Sequence, residues 1–364
     1  MGGNAMKHIG IITERKTAEA YWIIMNVVTT TLTDLFPYAR NEVIKSYANK
    51  PTFGDGDVLL ENNLLPSNWV EMLEDAFGLK PNEIVRNGGV ISFAAFGMQV
   101  DIISTPKEEF DIASVYFAFN DLGNLMGRVA HSFGFKYGHD GLYYSMREGT
   151  SKFAEVLVTD DPAEIFSFLG YDYSVFLNGF EELDDIFAFA SSSPFFHRDI
   201  FHLENRNNAA RTRDAKRPTY TAFLEWIKNK PELDRFKELA FINGDKNPDL
   251  PRWKEVFLLR AFTQSIKFAK EYNKAMDKHH VSKEAKLLWN GEIVSGLTGL
   301  QGKELGAFIS FCKTPMAFEI IPFDEWIISQ TKEDIEQFIK TSFESFKSTK
   351  EQDEELYYSN CKTN

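Results

Sequence analysis

The chain has 364 residues, 43% of them hydrophobic and 26% charged, with a formal net charge of −13. At roughly 100–200 residues per domain this length suits two domains, and the apolar content excludes general disorder, because there is enough material to offset the entropy of ordering a core. The acidic balance excludes a protein that coats nucleic acid by bulk electrostatics, so any nucleic-acid partner has to meet a locally basic surface.

No apolar run reaches the roughly 20 residues of a membrane span, and the start lacks the layout of a signal peptide, so a soluble, intracellular, cytoplasmic protein without a membrane partner is expected. The two cysteines, Cys312 and Cys361, have no metal-ligand spacing and suit a reducing compartment.

In chain order, Ala18, Ala20, Tyr21, Ile24, Val28, Leu32 and Leu35 recur at three- and four-residue steps and predict a helix over residues 13–35. Val58-Leu59-Leu60 reads as a short buried strand, and residues 69–77 as a helix with Gly78 near its C-terminal cap. Residues 90–96 and 98–103 read as a strand pair broken at Gly97. Residues 110–133 return to helical spacing. A turn over residues 138–141 then leads to candidate strands at 142–144 and 153–158. Asp161-Pro162 opens a short helix through Leu169, since aspartate caps and proline is tolerated at the first helical position. From Glu181 onward helical patterns dominate, notably residues 220–228, 253–276 and 332–346, and the polar tail after Lys347 is expected to fray.

Asp55-Gly56-Asp57 places two carboxylates at i and i+2, on one face of a strand. Asp101 interrupts an otherwise apolar strand, where an isolated charge is costly without a partner or a metal. Asp55 and Asp57 alone also fit a polar turn after Gly54. The three together fit a site for hard divalent cations of the kind that clamps the oxygens in phosphoryl or nucleotidyl transfer.

At these residues the sequence resembles the polymerase β-like (family X) branch of the nucleotidyltransferases. The run from Ser46 through Lys50 and Gly54 to Leu59 looks like the family's GS…GDxD segment, Tyr116-Phe117 falls at its YF-x-G segment, and Asp121, Asn124 and Arg128 keep its helix spacing. Residues 141–143 and 162–173 are similar to its thumb-like ending, so the likeness covers residues 40–175. The departures are Lys45 for the glycine before the serine, Gln99 for a basic residue two before the third aspartate, and Phe119 for the YF-x-G glycine. Base and sugar selection are therefore expected to differ. The segment before Lys45 is too short for the lyase and helix-hairpin-helix domains of a repair polymerase, so gap repair is not expected. Residues 290–306 are similar to a helix joint, NG…GxxGxELG, in the helical body of CCA-adding tRNA nucleotidyltransferases.

The resemblance implies an α+β fold: a nucleotidyltransferase palm, a mixed sheet with flanking helices, and a thumb-like segment over residues 1–180, then a helical accessory domain over 181–364. It implies two Mg²⁺ ions, or Mn²⁺ in their place, on Asp55, Asp57 and Asp101. An NTP would contact Ser46, Lys50, Gly54, Tyr116, Phe117, Asp121, Asn124 and Arg128. The expected reaction is transfer of a nucleoside monophosphate to a nucleic-acid 3′ hydroxyl, RNA or tRNA favoured. The alternatives are a small-molecule or protein hydroxyl as acceptor, or a catalytically silent nucleic-acid-binding module. Arg206, Arg211, Arg213, Lys216 and Arg217 form a dense basic stretch expected to meet the nucleic acid. Phe187, Phe189, Phe195, Phe196 and Phe201 read as core, with base stacking as the other reading. His131 and His139 read as capping or exposed residues rather than ligands.

Overall fold

Alternation of apolar side chains at a period of two builds the sheet that carries the aspartates. The structure, a computed structural model, describes residues 5–314 and 321–361, with residues 351 and 353–361 described by backbone alone. Strands Asp55–Glu61 and Met98–Thr105 run parallel, with Asp57 directly opposite Asp101. Asn41–Val43 pairs antiparallel with the first of them, and the hairpin of Val85–Asn87 and Val90–Ala95 extends the other edge, giving one five-stranded mixed sheet. The turn that joins Val90–Ala95 to Met98–Thr105 is Phe96 and Gly97, both with positive φ, the pairing that two-residue hairpin loops need.

One face of the sheet is dry. Val58, Leu60, Val100 and Ile102 are fully buried there against Met25, Val28 and Leu32 of helix Ala18–Leu35 and Val70 and Leu73 of helix Trp69–Phe77. On the opposite face Leu59 packs against Phe110 and Ala113 of helix Phe110–Phe117. The Trp69–Phe77 helix ends on a left-handed Gly78, as its sequence predicts. The first long helix begins at Ala18 rather than nearer residue 13, because Lys16–Thr17 pair with Thr52–Phe53 as short strands and Thr17 caps the helix by accepting from the Ala20 N–H.

The single helix predicted over residues 110–133 is two, Phe110–Phe117 and Leu122–Ser132. Phe119 and Asn120 between them take φ of 58° and 63°, left-handed values that end a helix. A second, antiparallel sheet of Phe135–Gly138, Gly141–Glu148 and Ser151–Thr159 follows. Helix Pro162–Leu169 is capped by Asp161, which accepts from the Glu164 N–H.

The chain divides into two compact units, Met1–Ala269 and Lys270–Asn364, so residues 181–269 belong with the sheets. There the predicted phenylalanine cluster is core: Phe187, Phe189, Phe196 and Phe201 are buried, with Phe196 stacked on Phe201 at 5.0 Å, which removes the base-stacking reading for them. The helix predicted over 253–276 is broken at an extended Ser265 into Leu250–Gln264 and Ile266–Leu288. In the second unit, helices Gly291–Thr298 and Gly302–Cys312 share a core with Lys332–Cys361, through Val294, Phe308, Ile335 and Ile339. That last helix continues past Lys347, where fraying was predicted. Asn290 caps the first of the pair by accepting from the Glu292 and Ile293 N–H groups, and left-handed Gly299 ends it. Among the described residues no helix is long and apolar enough to cross a membrane.

Candidate metal and nucleotide site

Because side chains alternate along a strand, Asp55, Asp57 and Leu59 share one face while Gly56, Val58 and Leu60 share the other. Gly56 has no room for a side chain: a Cβ there would collide with the buried Met25 sulfur. In-register parallel pairing then sets Asp101 beside Asp57. Oxygens of Asp55, Asp57 and Asp101 lie within 4.8 Å of one another. Three hard, anionic donors at this spacing fit a magnesium-like cation, which prefers carboxylate oxygen and completes its shell with water or phosphate. The electrostatics agree. Burial, with repulsion from Asp55 and Asp101, pushes the Asp57 carboxyl up to about 7. Burial also raises Asp101, against hydrogen bonds from Ser92 and Gln99 that lower it. Carboxylates crowded in this way gain most from a neutralising cation.

Gln99 holds Asp101. Its Nε2 donates to both carboxylate oxygens, at 2.9 and 3.0 Å, while its Oε1 accepts from the Ala5 and Met6 N–H groups at 3.0 and 3.3 Å. This arrangement brings the turn Ala5–His8 to the site, and Lys7 and His8 line the cavity in front of the aspartates. Neither they nor Ser92, opposite Asp101 on the neighbouring strand, carried a sequence signal.

The cavity measures about 1170 Å³. Asp57 and Asp101 lie at its floor, and Tyr116, Phe117, Asn120, Asp121 and Asn124 form one wall. Helix Leu122–Ser132 is seated close to that wall, since a Cβ on Gly123 would collide with the Tyr116 carbonyl. Phe119 keeps the left-handed backbone that a glycine adopts freely, and its buried ring is held edge-on to Phe176 and Phe180, at 5.2 and 4.8 Å. Thus packing holds at Phe119 a bend that a glycine would adopt freely. The Asn124 Nδ2 is buried without a hydrogen-bond partner, a donor available to whatever fills the cavity.

The other predicted residues divide. Lys50 donates from Nζ to the Asn120 side chain at 3.3 Å and feels the charges of Asp55 and Asp57, while burial lowers its pKa. Ser46 lies on the same loop, which is pinned by backbone bonds from Ala48 to Phe180 and from Asn49 to Glu181. Gly54 faces Arg15: a Cβ there would lie 2.8 Å from the guanidinium, a cation the sequence did not single out. Asp121 is bound to Arg217 at 2.5 Å, and both line the cavity. Arg128 instead lines a second cavity and donates to the Ile200 carbonyl. In the basic stretch, Arg211, Arg213 and Lys216 are exposed. Arg206 is buried, 2.8 Å from Asp214 and bonded to the Tyr220 hydroxyl, so it belongs to an internal ion pair and not to the exposed basic stretch. His139 stacks on Phe117 at 5.6 Å.

No protein-family model matches this sequence, and no curated protein matches it.

Proposed function

We propose that the chain is a metal-dependent nucleotidyltransferase with a polymerase β-like palm, joining a nucleoside monophosphate from an NTP to a nucleic-acid 3′ hydroxyl, RNA favoured. One observation carries the reading: three carboxylates from two adjacent parallel strands converge within 4.8 Å, and two of them, Asp57 and Asp101, line a cavity large enough for a nucleotide. Asp55 and Asp57 would hold both ions and Asp101 one of them. Two Mg²⁺ ions, or Mn²⁺, would polarise the phosphoryl oxygens and make the attacking hydroxyl more acidic.

The chain's own groups supply the rest. The hydroxyl oxygen bonds to the α-phosphorus, the bond from that phosphorus to the β-phosphate bridging oxygen breaks, pyrophosphate leaves, and the hydroxyl proton passes to Asp101. Gln99 fixes the Asp101 carboxylate in one orientation. Lys50 and Arg15 bring positive charge to the Asp55 end, where a triphosphate needs it. Asn124 offers its unpartnered amide to the nucleotide base or sugar.

A second reading, transfer to a small-molecule or protein hydroxyl, is favoured by the loss of Arg206 and Arg217 from the basic surface to Asp214 and Asp121. Incubating the protein with Mg²⁺, each α-labelled NTP or dNTP, and a panel of tRNA, RNA and DNA primers tests both. Label on RNA, abolished in Asp101→Asn with the fold intact, is expected. Label on no primer moves the acceptor to the second reading, and wild-type turnover in Asp101→Asn overturns the metal site.

A further inference from the structure

The far side of helix Leu122–Ser132 closes a separate cavity of about 150 Å³, between Ile200–Asn207 and Leu239–Leu250. Arg128, His131, Arg206 and Lys246 line it, and no carboxylate does among the described residues. Arg128, Arg206 and Lys246 make this an unusual concentration of cations in a chain of net charge −13, while burial and the neighbouring Arg128 push the His131 pKa down to about 4 and leave its ring neutral. The buried Asp214 is shared between Arg206 and Arg213, at 2.8 and 2.9 Å, and Asp199 is held by the N–H of Phe241 in the cavity wall.

Arg128 is left over. It makes no ion pair among the described residues, its Nη2 donates to one backbone carbonyl, and its Nε is buried without a hydrogen-bond partner. A guanidinium remains charged under any ordinary condition, so burial beside Arg206 is a standing cost that an anion in the cavity would remove. The planar N–H fork suits a tetrahedral oxyanion. Ser132 and Asn247 add polar groups to the wall, and Lys246, exposed at the rim, adds a mobile ammonium.

We propose that this cavity is a binding site for a phosphate group, held by Arg128 and Lys246 with Arg206 behind them, and distinct from the aspartate site. The ligand is inorganic phosphate or the terminal phosphate monoester of a short oligonucleotide. Neither Arg128 nor Lys246 lines the aspartate cavity, so the proposal stands or falls apart from the nucleotidyltransferase reading.

Calorimetric titration in EDTA, which keeps divalent cations out of the aspartate site, tests it with three probes: orthophosphate, a 5′-phosphorylated dinucleotide and its unphosphorylated counterpart. Wild type is expected to bind orthophosphate at one site, with Arg128→Gln and Lys246→Ala each weakening it by about tenfold or more, the loss of a charge-assisted contact. Lys246 is exposed, so its variant keeps the test valid should Arg128→Gln fail to fold. Preference for the phosphorylated dinucleotide over orthophosphate, lost in Lys246→Ala, identifies the oligonucleotide end as the source. Equal or weaker binding of the dinucleotide identifies free phosphate. No phosphate binding by wild type, or undiminished binding by folded Lys246→Ala, overturns the site.

Discussion

Gln99 and Asp101, two residues apart on one strand, are joined by a side-chain amide that donates to both carboxylate oxygens, at 2.9 and 3.0 Å. The same amide accepts two backbone N–H groups from the turn Ala5–His8, so one side chain links the start of the described chain to the candidate metal site. Gln99→Leu should release both partners and leave two buried N–H groups unpaired. A stability loss of about 1–3 kcal/mol is expected, with a higher Mg²⁺ requirement for transfer. Urea denaturation and a Mg²⁺ titration of activity check it. An unchanged Mg²⁺ requirement would show that Asp101 orientation does not depend on Gln99.

Asp57 gives the metal-free protein a pH-dependent contribution to stability, opposed over part of the same window by His131, whose pKa burial lowers to about 4. The Asp57 carboxyl is pushed up to about 7 in the fold, by burial and by Asp55 and Asp101, from an ordinary value of about 4 when unfolded. Between those values Asp57 binds more protons in the folded state than in the unfolded state, so its contribution to stability is greatest at low pH and declines as pH rises toward 7. In EDTA the melting temperature of wild type should fall relative to that of Asp57→Asn across that window. Magnesium should restore it most at the upper end, and Asp57→Asn should remove this part of the decline. A melting temperature in EDTA that does not depend on residue 57 between pH 4 and 7 contradicts the crowding.

Asn124 tests nucleotide selection. Its Nδ2 has no partner and its side chain lines the aspartate cavity. Asn124→Ala should therefore cost little stability, yet weaken NTP use by about 1–3 kcal/mol, the value of one buried hydrogen bond. Acceptor affinity should hardly change. Steady-state kinetics with each NTP decides it, and an unaltered KM for all four places the nucleotide elsewhere.

The basic stretch separates into two mechanical classes. Asp214→Ala strands the buried Arg206 charge and should destabilise by about 3–5 kcal/mol. Arg211→Ala combined with Arg213→Ala removes exposed side chains and should destabilise less than Asp214→Ala, because Arg206 still pairs with Asp214 when Arg213 is gone, while flattening the log–log salt dependence of RNA affinity by about 1–2 units. Fluorescent RNA titrated at several salt concentrations, beside thermal melts, reads both. The same salt slope in wild type and double variant, or no RNA affinity in wild type, favours a small-molecule or protein acceptor.

The three central strands of the sheet were legible because strand chemistry is local, whereas the short edge strands Asn41–Val43 and Val85–Asn87 gave no such signal. Asp55, Asp57 and Asp101 declare themselves as charges against an apolar period of two, and Gly78 announces the end of its helix. What stayed hidden depends on distant partners. Residues 110–133 keep helical spacing through the break, and only the packing of Phe119 against Phe176 and Phe180 shows why the chain bends there. Arg206 looks like any solvated arginine until Asp214 and Tyr220 close over it. The second cavity needs Lys246, over a hundred residues from Arg128, and no spacing rule connects them.

Gly56 has a consequence for the direction of the electric field. With no side chain between the two aspartates, a thioether and not water underlies them, because Met25 is fully buried against the strand. Low-polarity material beneath a cluster of negative charge screens poorly, so the field is concentrated outward, into the cavity. The site therefore draws cations along one approach. A larger residue at position 56 would do more than disturb packing: by lifting the strand off Met25 it would admit solvent from below and weaken that pull, even with all three aspartates in place.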